Sequence, residues 1–319
     1  MYQFVYWLKA IAAIFITNSH YADIWPVSAL AFGGHLGNCL YFFVSGFCLC
    51  HIKETFPKWY LKRAIRIYPS LWICAAVFLL IGWYHFDSFL AGFHCLIYPT
   101  WFHFIGTIML MYILFYIVRW AQSKVHLKTQ TVMLVVLLAF MAIFMFRFDK
   151  TYYHIDDVNE KWVRFQFAES MLMGSLFREK YETIDKKIRW FDISSVPVML
   201  IVYLASKLTF SRVESLSVIQ CIHPMVLLFL IYRTAVLAVK LEKNGIFASV
   251  NSKISRIVYF LSAITLEIYL VQYPIIDALN GLPFPLNFLA VTALVLACAW
   301  VVHLLSGWVQ KKCGKMLRL

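Results

Sequence analysis

Charge is scarce in this sequence. Asp, Glu, Lys and Arg make up 14% of its 319 residues, against about 25% in a soluble domain. That shortage excludes a water-soluble globular fold of this length. Acidic residues are the scarcer kind, with 16 Asp and Glu against 29 Lys and Arg and a net charge of +13. Glycine (12) and proline (9) are few. No Gly/Ser-rich linker, internal repeat or low-complexity tract divides the chain, which excludes a string of tethered domains. The eight cysteines, at 39, 48, 50, 74, 95, 221, 298 and 313, lie mostly in apolar stretches without paired spacing. They read as small buried hydrophobes, and neither a disulfide framework nor a metal site is expected. No basic residue precedes the first apolar stretch, Lys9 interrupts it, and no small-x-small site closes it. The N-terminus is therefore expected to be a retained span and not a cleaved signal peptide.

Apolar residues are what the chain has, at 62% with a mean hydropathy of +0.73. The expected fold class is an all-α polytopic membrane protein, a bundle of about ten transmembrane helices. The spans are expected at 2–21, 31–51, 68–86, 103–120, 130–148, 165–178, 190–206, 216–238, 256–279 and 285–309, the sixth being short and polar. Residues 1–319 read as one membrane-embedded domain with no separate soluble domain. With the N-terminus inside, 21 of the 29 basic residues fall in cytoplasmic segments and 6 in outer loops, while Lys9 and Arg233 lie within spans. This asymmetry puts both termini in the cytoplasm. It also explains the basic balance as topology, so no nucleic-acid partner is expected.

Within the first span, YQFVYWLKAIAAIFITNSHY, Lys9 and His20 are eleven positions apart. On a continuous helix they differ by only about 20° in direction and lie about 16 Å apart along the axis. A lysine in hydrocarbon costs about 2.5–3.5 kcal/mol even on a lenient scale, so this face is expected to look into a protein interior. Ser45-Gly46, inside YFFVSGF at 41–47, allows close helix approach and by itself reads as ordinary membrane packing. The stretch 53–70, KETFPKWYLKRAIRIYPS, suits an interfacial helix at the inner leaflet. Its Arg63 and Arg66 share one face at i, i+3, where two guanidinium forks can grip phosphates. A plain positive-inside anchor is the blander reading of that stretch, and on physics alone the favoured one. Glu169 and Glu267 are carboxylates at membrane depth, each a candidate partner for Lys9. The segment 147–164 carries Asp149, Asp156, Asp157 and Glu160 among aromatics. It suits sugar stacking, but a plain solvated loop is the expected reading.

Taken in order, Lys9 with His20, YFFVSGF, Arg63-x-x-Arg66 leading into IYPS, and SAITLEIYLVQYPII at 262–276 resemble the integral-membrane acyltransferase-3 family. These proteins O-acylate cell-envelope carbohydrates. The likeness spans about the whole chain, and it implies an enzyme of the cytoplasmic (inner) membrane, multi-pass, using acetyl-CoA as co-substrate and no metal. His20 falls at the catalytic histidine, as base or transient acyl carrier. Lys9, Arg63 and Arg66 fall at acyl-donor positions, and Tyr269 at the family's ninth-helix tyrosine. Asp23, three residues beyond His20, would orient the imidazole if the helix continued past Pro26. Ser45, Glu169 and Glu267 are further supporting candidates. Departures from the family pattern are Cys39, where many members carry an acidic residue, and Gln272, where histidine is frequent. The chain also lacks the soluble esterase-like domain fused to some members. The implied partners are an acyl-CoA donor, a carbohydrate acceptor on the outer side and the lipid bilayer. Without the resemblance, a transporter or flippase for an envelope glycan stands level with an enzyme, because buried Lys, His and Glu also make proton relays. Paired interrupted helices or repeat symmetry would mark it.

Overall fold

The computed structural model describes residues 2–158 and 160–317. It is helical throughout, with no strand among the described residues. The helices are α1 (Gln3–Ser19), α2 (Gly34–Leu49), α3 (Phe56–Leu80), α4 (Phe89–Leu96), α5 (His103–Val125), α6 (Thr129–Phe146) and α7 (Val163–Glu179). They continue with α8 (Trp190–Arg212), α9 (Ile222–Lys243), α10 (Ile246–Ser249), α11 (Ser252–Ala263), α12 (Thr265–Leu279) and α13 (Leu286–Met316). Six of them (α3, α5, α6, α8, α9 and α13) are long and apolar enough to cross a membrane. The pair α11 and α12 qualifies as a seventh, bent by 74° at its break. The chain is thus a multi-pass membrane protein. Helices α1 and α7, at 17 residues, and α2, at 16, are shorter than a full crossing.

Two elements differ from the expectation. The interfacial stretch and the third span form one helix, α3. Pro57 lies in its first turn, where the missing N–H has no helical partner to lose, and Pro69 is accommodated inside it. The expected ninth span breaks at Ile264, where neither proline nor glycine marks the bend.

The chain packs as two compact units. The first comprises Met1–Lys9, Asn38–His51 and Phe115–Ile257. Its α2 and α7 meet backbone to backbone. A Cβ at Gly46 would fall on the Met171 carbonyl, and one at Gly174 on the Phe43 carbonyl, so each position admits only glycine. Phe42 stacks on Phe167 at 4.6 Å in the same seam. Helices α8 and α9 are tied by Asp192, which accepts from Arg233 at 2.9 Å and from Lys240 at 2.8 Å. Arg233 also donates to the Ser195 hydroxyl at 2.9 Å. Lys240 reaches Asp185 at 3.0 Å, and that bond holds the Asp185 carboxyl below the usual carboxylate range.

The segment expected as a solvated loop is folded. Fully buried Gln220 accepts from the His154 and Ile155 N–H groups at 3.0 and 3.1 Å and donates to the Tyr152 carbonyl at 2.9 Å. Lys207 pairs with Asp156 at 2.6 Å, and the ring of His154 lies stacked 4.4 Å from Phe148. An amide that can bond in both directions substitutes here for water.

The second unit comprises Ala10–Gly37, Ile52–Leu114 and Val258–Leu319. Its frame is α3, α12 and α13 packed on one another, with α1 beside them. Asn287 at the start of α13 donates to the Ile24 carbonyl at 3.0 Å, which ties the turn after α1 to this frame.

Three outcomes follow, two in the first unit and one, at Gly307, in the second. Gly46→Ala should cost about 1–3 kcal/mol of stability, since α2 and α7 must separate to admit a methyl. Gly307→Ala, where a Cβ would meet nothing within 4 Å, should gain about 0.5–1 kcal/mol. Thermal unfolding of both variants in detergent checks the contrast. Asp192→Ala leaves the buried Arg233 without a carboxylate, while Lys240 keeps Asp185, and should cost about 3–5 kcal/mol by the same measurement.

Candidate active site

The chemistry-bearing groups of the second unit collect around the end of α1. Helix α1 stops at Ser19, and His20 occupies the turn beyond it, its N–H donating to the Thr17 carbonyl at 3.0 Å. The imidazole is set between two tyrosines of α12. Tyr273 meets it edge-on at 4.9 Å between ring centroids, and Tyr269 lies tilted at 6.2 Å. The two tyrosines are four residues apart, so they leave one face of α12 a turn from each other. Tyr269 is itself fixed, buried against Phe104 and accepting that residue's N–H at 3.4 Å.

Beside this turn is a cavity of about 240 Å³, walled by Ala13, Thr17 and Tyr21 of the α1 side, Ile268 of α12, and Thr292 and Val295 of α13. The Tyr21 and Thr292 hydroxyls bond to each other at 3.3 Å in its wall. The rest of the wall is largely apolar, suited to a hydrocarbon or thioether segment.

Arg63 and Arg66 lie on the first half of α3. The Arg63 guanidinium sits over the Trp59 ring at 5.0 Å, and Trp59 is buried edge-on against Tyr112. Arg66 is exposed. Their neighbour Lys62 is paired with Glu54, and this hydrogen bond lowers the Glu54 pKa. That pairing separates Lys62 from the two arginines. One guanidinium is thus braced on an indole and the other lies in solvent.

The membrane-depth carboxylate of Glu267 accepts from the Ser70 hydroxyl at 2.9 Å, and its Oε1 lies 3.5 Å from His303 Nδ1. Ser70 is the last residue of the IYPS stretch, so that motif ends by holding a buried acid. Glu169 is buried on α7 of the first unit, its Oε1 without a hydrogen bond among the described residues. Lys9 is half-buried within α1 and belongs to the first unit, whereas His20 belongs to the second. Because α1 ends before His20, their expected alignment on one continuous helix does not reach the imidazole. Asp23 is exposed beyond the helix end, and no ion pair joins it to His20 among the described residues, so it does not orient the ring. Ser45 is half-buried beside Gly46 on α2. Tyr273 and Ser70 were not singled out from sequence. Tyr273 alone carried a signal, standing one turn beyond Tyr269.

The family model described as an acyltransferase domain matches residues 2–304. No curated protein and no solved structure matches the chain. With the match covering nearly the whole length, the chain belongs to the acyltransferase-3 family.

Proposed function

We propose that the protein transfers an acyl group, acetyl in the simplest case, from cytoplasmic acyl-CoA to a hydroxyl of a cell-surface carbohydrate. Its place is the cytoplasmic membrane. The observation that carries this reading is the imidazole of His20 held between Tyr269 and Tyr273 in a chain of an acyltransferase family. Coenzyme A phosphates dock on Arg63 and Arg66, and Lys9 lends positive charge along α1. The pantetheine arm carries the thioester toward His20, with the apolar cavity beside the turn as the space for its chain. His20 takes the proton of the acceptor hydroxyl as its oxygen attacks the thioester carbon. The C–O bond forms, the carbonyl electrons move to oxygen, and their return breaks the C–S bond. The thiolate leaves and takes the proton from His20, so ester and free thiol balance the step. Attack by His20 itself, giving a transient acyl-imidazole that the hydroxyl then opens, uses the same groups in two steps.

A second reading, passage of an envelope glycan or its precursor across the membrane, draws support from the break between α11 and α12. Interrupted helices build transporter sites, although in pairs. One bent pair occurs among the described residues.

Thiol release from acetyl-CoA by purified protein in liposomes, with envelope glycans present, should fall about 10²–10⁴-fold in His20→Ala, the span of a lost acid–base group. Unchanged turnover in that variant removes His20 from the chemistry, and absence of donor binding in folded wild type points to the transport reading. Arg63→Ala and Arg66→Ala should each raise the donor KM about 10–100-fold while kcat changes little, since each removes a charge-assisted hydrogen bond made equally in ground and transition states.

A further inference from the structure

Several buried carboxamides in this protein are bonded at both ends. Gln220 bonds through both its oxygen and its nitrogen, Gln122 donates to the Leu127 carbonyl and accepts from Arg119, and Asn287 donates to Ile24 and accepts from the Phe288 N–H. Gln272 breaks this habit. It is fully buried in the middle of α12, and neither Nε2 nor Oε1 has a hydrogen-bond partner among the described residues. Desolvating both ends of an amide and bonding neither is costly, and a carbon side chain of the same shape would avoid the cost. An unmet amide kept in such a place has a use outside the resting fold.

Its position identifies the use. Gln272 lies three residues after Tyr269 and one before Tyr273, so all three leave α12 over adjacent parts of one face. The two tyrosines enclose His20. At i, i+3, Gln272 shares a face of α12 with Tyr269, one of the two rings that meet His20. It is also within the second unit, as are the tyrosines and His20.

We infer that Gln272 is a substrate-contacting catalytic residue, its Nε2–H donating to the acyl carbonyl oxygen as negative charge develops there. Its Oε1 accepts a hydroxyl hydrogen of the carbohydrate beside the one being acylated. This rests on the acyl-transfer reading of His20. As the hydroxyl oxygen bonds to the thioester carbon, the carbonyl π electrons pass to oxygen. The amide donor holds that oxyanion until the electrons return and the C–S bond breaks. An amide donor is suited to this, because it stabilises charge without adding a proton that would quench the base. Both ends of the carboxamide are then bonded only while donor and acceptor are present.

The test compares Gln272→Met, which keeps length and removes both polar ends, with wild type and His20→Ala in liposomes. Thermal unfolding, acetyl-CoA binding and thiol release are read for each. The expected result is a midpoint equal to or above wild type, retained donor binding, and kcat lower by about 10²–10³-fold, the loss typical of one oxyanion donor. Turnover equal to wild type overturns the assignment. So does a lowered midpoint, which would show that the amide is bonded within the fold. If wild type itself releases no thiol, the acyl-transfer reading fails. That case is distinguished from a misassigned Gln272, where wild type turns over and Gln272→Met matches it.

Discussion

A polar group carried into a helix bundle out of reach of water must be met by another polar group or remain a charge on stability. Most of the architecture answers to that requirement. In the first unit Asp192 collects an arginine and a lysine from α9, and Gln220 binds a whole loop through one amide. In the second, a buried glutamate takes a serine from α3 and a histidine from α13. These contacts specify which helices are neighbours, because apolar surfaces alone do not distinguish one helix from another in lipid. Gln272, with both ends of its amide unbonded among the described residues, stands out against these pairings.

The histidine of the site is supported differently. Its surroundings are aromatic rings, not a carboxylate, and the helix carrying it ends one residue earlier. An imidazole between tyrosines is steered by shape and by ring edges, and it stays uncharged more readily than one beside an acid. The arginines of α3 are the reverse case: fixed charges, one braced on Trp59, with no reason to move.

The long apolar runs made most helices legible. The spans expected at 103–120, 190–206 and 285–309 reappear as α5, α8 and α13, each carried further at its C-terminal end. The polar seventh helix was also placed well, because acids and bases at membrane depth can only belong to a packed segment. What escaped was long-range or backbone-determined. Nothing in SAITLE shows that α11 ends before Thr265, since the bend uses no proline or glycine. Ser70 and His303 lie 197 residues before and 36 residues after Glu267, and pattern along one chain does not report such pairings. Asp23 failed as an orienting group because the helix stopped short, as Pro26 had warned. His20, Arg63, Arg66 and Tyr269 were recognisable from ordered motifs, whereas Tyr273 became visible only once two rings were seen to meet one imidazole.

The glycine seam between α2 and α7 bears on how the protein is made. Helix α7 carries Arg164, Gln166, Glu169 and Arg178 within 17 residues, too polar a segment to settle in lipid by itself. Its place is defined by a surface of α2 that is synthesised more than a hundred residues earlier. The nascent chain must therefore hold α2 available, its small-residue groove uncovered, until α7 emerges. Insertion of this protein is a sequential assembly in which an early helix acts as the receptor for a late one.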